Sequence, residues 1–337
     1  MRLGVWTPLP HTIRPEPRML AGIDEATHQG QRLGDSDPSF QFALDVLRKG
    51  EALGFDISLV ACRWLGADLD TWVLSTALAA QTTRMEIMVA VHPGIIHPQI
   101  AAKMGATLDR ISGGRFSVNV VNGWNQAEFE FFGNQEWVND PDSRYQRMDE
   151  YVQVLKGIWS QEEFEFSGRF YRCPPTKVPL RPLQVPNPPI YTASRTDAGK
   201  DVIAKYCDHW FASYQNDYRA YEDNVATICN DISDLRARAG ALGRTLGFGI
   251  SGHVIIGKTM EDALAQAHEL EAHGKTSRVN ATAAKALGAG LLGTAETVAD
   301  RLKRYEDIGV GTVMLHFHPM LDGLDRFADE VMPKLGR

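Results

Sequence analysis

The chain has 337 residues, 44% hydrophobic and 23% charged, a composition that excludes a largely disordered protein and allows a sizeable core. Its 35 basic and 42 acidic residues leave a formal charge of −7, which argues against general nucleic-acid binding, for which a basic face is needed. Cys62, Cys173, Cys207 and Cys229 form no CxxC pair, so they read as reduced thiols of a cytoplasmic protein and no metal site is expected from them.

The opening stretch, MRLGVWTPLPH, has no long apolar run and no small-residue cleavage site, so no secretory leader is expected. Nowhere do 18 apolar residues follow one another, so no membrane helix is expected either. Residues 2–6 read as a strand. Over 41–53, Phe42, Val46, Leu47 and Leu53 recur at helical spacing, and Gly54 follows as a stop. Strands at 56–60, 85–91 and 116–121 alternate with helices at 71–81 and 98–111, the second ended by Gly113 and Gly114.

A long segment, 122–188, interrupts the alternation. It holds one helix, with Asp140 as N-cap, Pro141 at N1, and Tyr145, Met148, Val152, Leu155 and Trp159 at three- and four-residue steps. Its proline-rich end, 174–189, reads as a loop. Alternation resumes with strands at 189–192, 209–212 and 246–256 and helices at 197–206, 221–239 and 260–271. The segment 273–293 is rich in small residues and has no firm pattern. Thr294 caps a helix over 296–308, a strand follows at 313–317, and the last helix spans 324–335.

Eight strands, nearly all followed by helices, predict one α/β domain over 1–337, a (β/α)8 TIM barrel with insertions after strand four (122–188) and strand seven (273–293). The rival is an open doubly wound sheet, which usually announces a nucleotide site with a GxGxxG or P-loop between a strand and a helix.

Barrel enzymes carry their chemistry at the C-terminal strand ends. Here those ends hold Cys62 and Arg63, then His92 and His97, then Asn119 and Asn122, then Ser194 and Thr196, then His253, and finally His316 and His318. His316 and His318 fall on one strand face by alternation. They read as a metal pair, a polar or acid–base pair, or satisfied structural histidines. Ser194 and Thr196 precede a helix and read as a phosphate seat or as plain caps.

The stretch 106–124, ATLDRISGGRFSVNVVNGW, followed by Glu128, resembles the bacterial-luciferase-like flavin monooxygenases. Within them it is most similar to the dimethylsulfone, alkanesulfonate and pyrimidine-ring-opening enzymes. The similarity continues through Ser143-Arg144-Tyr145, Glu150-Tyr151-Val152, Phe170-Tyr171 and Ala299-Asp300-Arg301-Leu302, and covers nearly the whole chain. It implies the same barrel, reduced FMN (FMNH2) as cofactor, O2 as co-substrate, and an NAD(P)H:flavin reductase as partner. It also implies a homodimer or homotetramer.

Residue by residue, the resemblance implies that Cys62, Arg63 and Asn119 line the flavin ring and that Glu128 lies along its polar edge or tail. Arg144 and Tyr145 would approach the ribityl chain and phosphate, and Ser194 and Thr196 would seat the phosphate. His253 and His318 would be substrate-side catalytic residues, His318 standing where alkanesulfonate enzymes carry a tyrosine. Arg278, with Lys275 beside it, would supply charge from a closing loop. The expected function is FMNH2-dependent oxygenation of a small organosulfur compound, a sulfone or alkanesulfonate, with C–S cleavage. The alternatives are a nitrogen heterocycle or haloaromatic substrate, a reductase using the deazaflavin F420, or a metal-dependent hydrolase built on His316 and His318.

Overall fold

Short acidic and hydroxyl side chains decide where the helices begin. Asp37 accepts hydrogen bonds from the Ser39 and Phe40 N–H groups at the start of α1 (Pro38–Ala52). Asp70 does the same for Trp72 and Val73 in α2 (Thr71–Ala80). Such a cap satisfies donors that the first helical turn leaves open. Pro38 sits just inside its helix, where a missing N–H costs nothing.

The structure, a computed structural model, describes residues 1–12, 14, 16–19, 32–123, 125–133, 137–213, 217–276 and 286–337. Between α1 and α2 runs β2 (Ile57–Val60), after β1 (Arg2–Trp6). There follow β3 (Glu86–Val91), α3 (Pro98–Ser112), β4 (Phe116–Val120), α4 (Gln126–Phe132) and α5 (Pro141–Ser160). The hairpin β5 (Glu163–Ser167) and β6 (Arg172–Lys177) leads to β7 (Ile190–Thr192), α6 (Asp197–Tyr206) and β8 (His209–Phe211). The chain closes with α7 (Tyr221–Ala241), β9 (Gly247–His253), β10 (Ile255–Ile256), α8 (Met260–Thr276), β11 (Leu292–Gly293), α9 (Ala295–Asp307), β12 (Thr312–His316) and α10 (Met320–Glu330). Eight strands form a closed barrel in the order β1-β12-β9-β8-β7-β4-β3-β2, the (β/α)8 architecture the alternation predicts. Among the described residues no helix is long and apolar enough to cross a membrane.

By its contacts the chain divides into two compact units. The first comprises Met1–Leu69, Ala212–Ile232 and Phe248–Arg337. Its strands β1, β12 and β9 pair in parallel. Leu3, Val5, Val313 and Leu315 are fully buried. Phe317 packs edge-on against Phe55 and Phe327, with ring centroids 6.2 and 5.6 Å away. The other face of β1 is so close to β12 that a Cβ on Gly4 would lie 2.3 Å from Met314 Sδ.

The second unit comprises Asp70–Phe211 and Ser233–Gly247. Its glycine turn before β4 is built around Arg115. Gly113 and Gly114 hold φ of 71° and 86°, a region that favours glycine. The Arg115 guanidinium then donates to the carbonyls of Ser112, Met85, Ala79 and Thr82 at 2.7–3.0 Å and to Thr82 Oγ1 at 3.2 Å. A planar fork with five donors suits that cluster of helix-end carbonyls. Asp109, fully buried, accepts from the Leu183 and Gln184 N–H groups and from the Gln184 amide. Glu150 accepts from the N–H groups of Arg169, Phe170 and Tyr171 and so fixes the hairpin turn.

The insertions hold more regular structure than the sequence pattern shows. Besides the expected helix α5, the segment 122–188 contains α4 and the β5–β6 hairpin. Pro174 and Pro175 lie within β6; a two-stranded ribbon has free edges, where a missing donor is tolerated. The strand read over 246–256 is two strands, and β10 pairs in parallel with β11 from the second insertion. That part is pinned: Asn224 Nδ2 donates to the Gly288 carbonyl, Tyr305 Oη to Ala289, and Arg301 Nη1 to Leu292.

Candidate active site

In the second unit the α6 start is a cluster of hydroxyls. Thr196 is the N-cap, accepting from the Gly199 N–H at 3.2 Å. Ser194 Oγ accepts from the Thr196 N–H at 3.1 Å and donates to Tyr145 Oη at 2.7 Å. The two hydroxyls, Ser194 Oγ and Thr196 Oγ1, are 3.2 Å apart. The Ser194 carbonyl is fixed by the Trp210 indole N–H at 2.8 Å. A Cβ on Gly199 would lie 2.0 Å from Ser194 Oγ and 2.6 Å from Tyr145 Cε1, so only glycine leaves this cradle open. Three hydroxyls at a ten-residue helix N-terminus could hold an anion. The structure therefore brings Tyr145, Ser194 and Thr196 together.

Asn119 is half-buried on β4. Two residues past that strand, both polar atoms of the Asn122 side-chain amide are buried without a hydrogen-bond partner in the protein. Gly123, at φ 76°, brings the backbone so close to Phe129 that a Cβ would meet its ring at 2.3 Å. Arg144 places its guanidinium over the Trp137 ring, 4.9 Å from the centroid. Glu128 is fully buried, its carboxylate 4.0 Å from His92 Nδ1. Next to it Arg147, 1% exposed, lies over the Phe129 ring and against Gly94, where a Cβ would come within 2.4 Å of its guanidinium.

In the first unit Cys62 is buried and Arg63 half-buried. Arg63 and Asp68 both lie against Gly66. Asp68 pairs with His11, Oδ1 to Nδ1 at 2.8 Å, both side chains under 10% exposed. At the end of β9, His253 is fully enclosed, and burial, reinforced by His318, pushes its pKa down to about 3. His316 is enclosed as well and held well below the usual histidine range, chiefly by burial and then by His253. His318 is half-buried; burial and the Arg14 guanidinium lower its pKa, while Glu269 opposes. Arg14 and Glu269 are themselves paired at 2.6 Å. His318 lines a cavity of about 160 Å³ with Gln266, Asp322 and Arg326, among others. Among the described residues, no three His, Cys, Asp or Glu side chains converge as a metal-ligand set. Arg278 and the side chain of Lys275 lie outside the described residues.

Sequence reading marks Asn122 as a strand-end residue but singles out neither Trp6, His11 nor Asp68 as site residues. Trp6 is the last residue of β1, and strand-end position is the one signal that could have marked it.

The chain matches the luciferase-like monooxygenase family model over residues 19–312. It is 30% identical over 316 residues to the FMNH2-dependent dimethylsulfone monooxygenase of Pseudomonas putida, covering 84% of each chain. Among solved structures, the EDTA monooxygenase of Chelativorans sp. BNC1 superposes with a TM-score of 0.77 at 18% identity, covering 100% of this chain and 93% of that one. The coenzyme F420-dependent tetrahydromethanopterin reductase of Methanopyrus kandleri gives 0.64 at 17% identity, covering 86% and 94%. At such identities the two structures share the fold alone.

Proposed function

The chain belongs to the luciferase-like monooxygenase family, and from that premise we propose that it is the oxygenase of a two-component system that takes FMNH2 from an NAD(P)H:flavin reductase and O2 from solution. Its substrate is a small organosulfur compound, a sulfone or an alkanesulfonate, cleaved at a C–S bond. The observation that carries this reading is the 30% identity, over 84% of both chains, to a dimethylsulfone monooxygenase. We assign the whole of 1–337 to one family domain, acting as a homodimer or homotetramer in the cytoplasm.

The residues present fit FMN. The cradle of Tyr145, Ser194, Thr196 and Gly199 offers hydroxyls and a helix N-terminus to a phosphate. The unpartnered Asn122 amide offers a donor and an acceptor for the polar edge of an isoalloxazine, next to Asn119 on β4. Reduced FMN, when bound, supplies the electrons that activate O2. In this assignment Arg144 approaches the ribityl phosphate, and Cys62 and Arg63 border the ring. Glu128, buried beside His92, acts on the cofactor by holding that pair in place. His253 and His318 stand on the substrate side. Both are kept neutral near pH 7, so each offers the substrate one N–H donor and one acceptor nitrogen. Arg278 is assigned the supply of positive charge on the substrate side, with Lys275 near the end of α8 as the neighbouring cation.

The test is turnover with FMN, a flavin reductase, NADH and O2 across sulfones, sulfonates, nitrogen heterocycles and haloaromatics. Sulfite or sulfinate release from a sulfur substrate is the expected result. Oxygenation confined to a heterocycle or haloaromatic would replace the organosulfur assignment.

A further inference from the structure

Three neighbouring strands of the first unit end on rings. Trp6 ends β1, His316 ends β12 and His253 ends β9. Val5 is level with Leu315, and His316 with His253, so the three rings stand side by side at the C-terminal edge of their strands. Trp6 and His316 have ring centroids 4.6 Å apart and planes 26° from parallel. His316 and His253 lie 6.0 Å apart with planes within 4°. The Trp6 indole N–H donates to Ser251 Oγ at 2.8 Å, which fixes the first ring of the row.

Both imidazoles are 2% exposed or less. Nδ1 and Nε2 of each have no hydrogen-bond partner in the protein. Buried polar atoms in native proteins are almost always paired, so four unpaired nitrogens in one row mark a surface built for a ligand. Burial holds both rings neutral at pH 7, and a neutral imidazole carries one N–H donor and one acceptor.

We propose that the Trp6–His316–His253 row is a subsite for an uncharged hydrogen-bond-accepting group, and that it selects a sulfone over a sulfonate. A sulfonyl group offers two acceptor oxygens to two imidazole N–H donors and carries no net charge. A sulfonate brings an anion into a buried, neutral surface that does not repay its desolvation. The choice between sulfone and sulfonate rests on the organosulfur reading above; the preference for an uncharged acceptor does not.

The test is calorimetric titration of the FMN-loaded protein with dimethyl sulfone, methanesulfonate and uracil, the last an uncharged acceptor without sulfur. Dimethyl sulfone is expected to bind at least about tenfold more tightly than methanesulfonate at pH 7.5. His316→Phe keeps the stack with Trp6 but removes the donor, and is expected to weaken sulfone binding by about tenfold or more. His316→Gln keeps an N–H and is expected to stay within about threefold of the parent. If uracil binds with the same dependence on His316 while the sulfone does not bind, the subsite stands and the organosulfur reading falls. Methanesulfonate binding as tightly as the sulfone, affinity unchanged in His316→Phe, or no binding of either uncharged probe overturns the subsite. Should His316→Phe fail to fold, His316→Leu and His253→Phe, each lacking the donor, take its place, and parent-like sulfone affinity in a folded one of them overturns the subsite.

Discussion

Ser194 Oγ lies 2.7 Å from Tyr145 Oη, a contact that joins the start of α6 to α5 across 49 positions of sequence. The Thr196 N–H donates to the same Ser194 oxygen, so one hydroxyl couples the cap of α6 to a neighbouring helix. A phosphate placed there meets hydroxyls already oriented by each other.

Replacing Ser194 and Thr196 together by alanine is expected to weaken FMNH2 binding by about 1–3 kcal/mol, through lost charge-assisted hydrogen bonds. Tyr145→Phe removes one hydroxyl and is expected to cost less, about 0.5–1.5 kcal/mol. Anaerobic FMNH2 titration measures both. Parent-like affinity in the double variant would place the phosphate elsewhere.

Gly199→Ala puts a methyl group 2.0 Å from Ser194 Oγ. Overpacking of this kind is expected to cost about 1–3 kcal/mol of stability. The same methyl intrudes on the hydroxyl cradle, so flavin affinity should fall as well. Thermal unfolding and flavin titration read the two effects separately, and a loss of stability with undiminished affinity would count against the cradle as a flavin site.

Arg115 belongs to the glycine-turn motif that carries the family resemblance, yet it touches helix-end carbonyls and a threonine hydroxyl. Arg115→Lys keeps the charge but loses the fork, and is expected to destabilise the protein by about 2–4 kcal/mol as carbonyls are left unpaired. Flavin affinity of the folded fraction should not change. Urea denaturation checks the first claim, and a change in flavin affinity without a change in midpoint would refute the structural role.

Acid should weaken the fold through its buried histidines. In the unfolded chain a histidine takes up a proton near pH 6.5, whereas folded His253 does so only near pH 3. Between those values the unfolded state binds more protons, so stability is fully present above pH 6.5 and falls as the pH drops toward 3. At 1.36 kcal/mol per pH unit, the loss from His253 reaches about 4–5 kcal/mol at the acid end of that window. Urea midpoints at pH 7, 5.5 and 4.5 should show this decline, and His253→Gln should make it shallower. An identical slope in the variant would show that His253 is not the group responsible.

The barrel was legible because its signals are local. All eight barrel strands fall where short apolar runs predict them, and Asp140, Thr196 and Thr294 cap helices within three residues of their own positions. The hydroxyl pair of Ser194 and Thr196 was legible for the same reason, being two residues apart at a helix start. The β5–β6 hairpin was missed because Pro174 and Pro175 argue against a strand, and only the pairing with β5 shows that β6 is a free-edged ribbon.

Sequence by itself determined the order and type of the eight barrel strands and of most of the helices between them, since period, caps and glycine stops act over a few residues. It also placed His253, His316, Ser194 and Thr196 at strand ends. Only the tertiary structure decided which ends meet. Tyr145 reaches Ser194 because α5 packs along α6, and Trp6 reaches Ser251, 245 positions away, because β1 and β9 both flank β12. Those meetings depend on strand register and on burial shared by distant segments. Spacing along the chain carries no record of either.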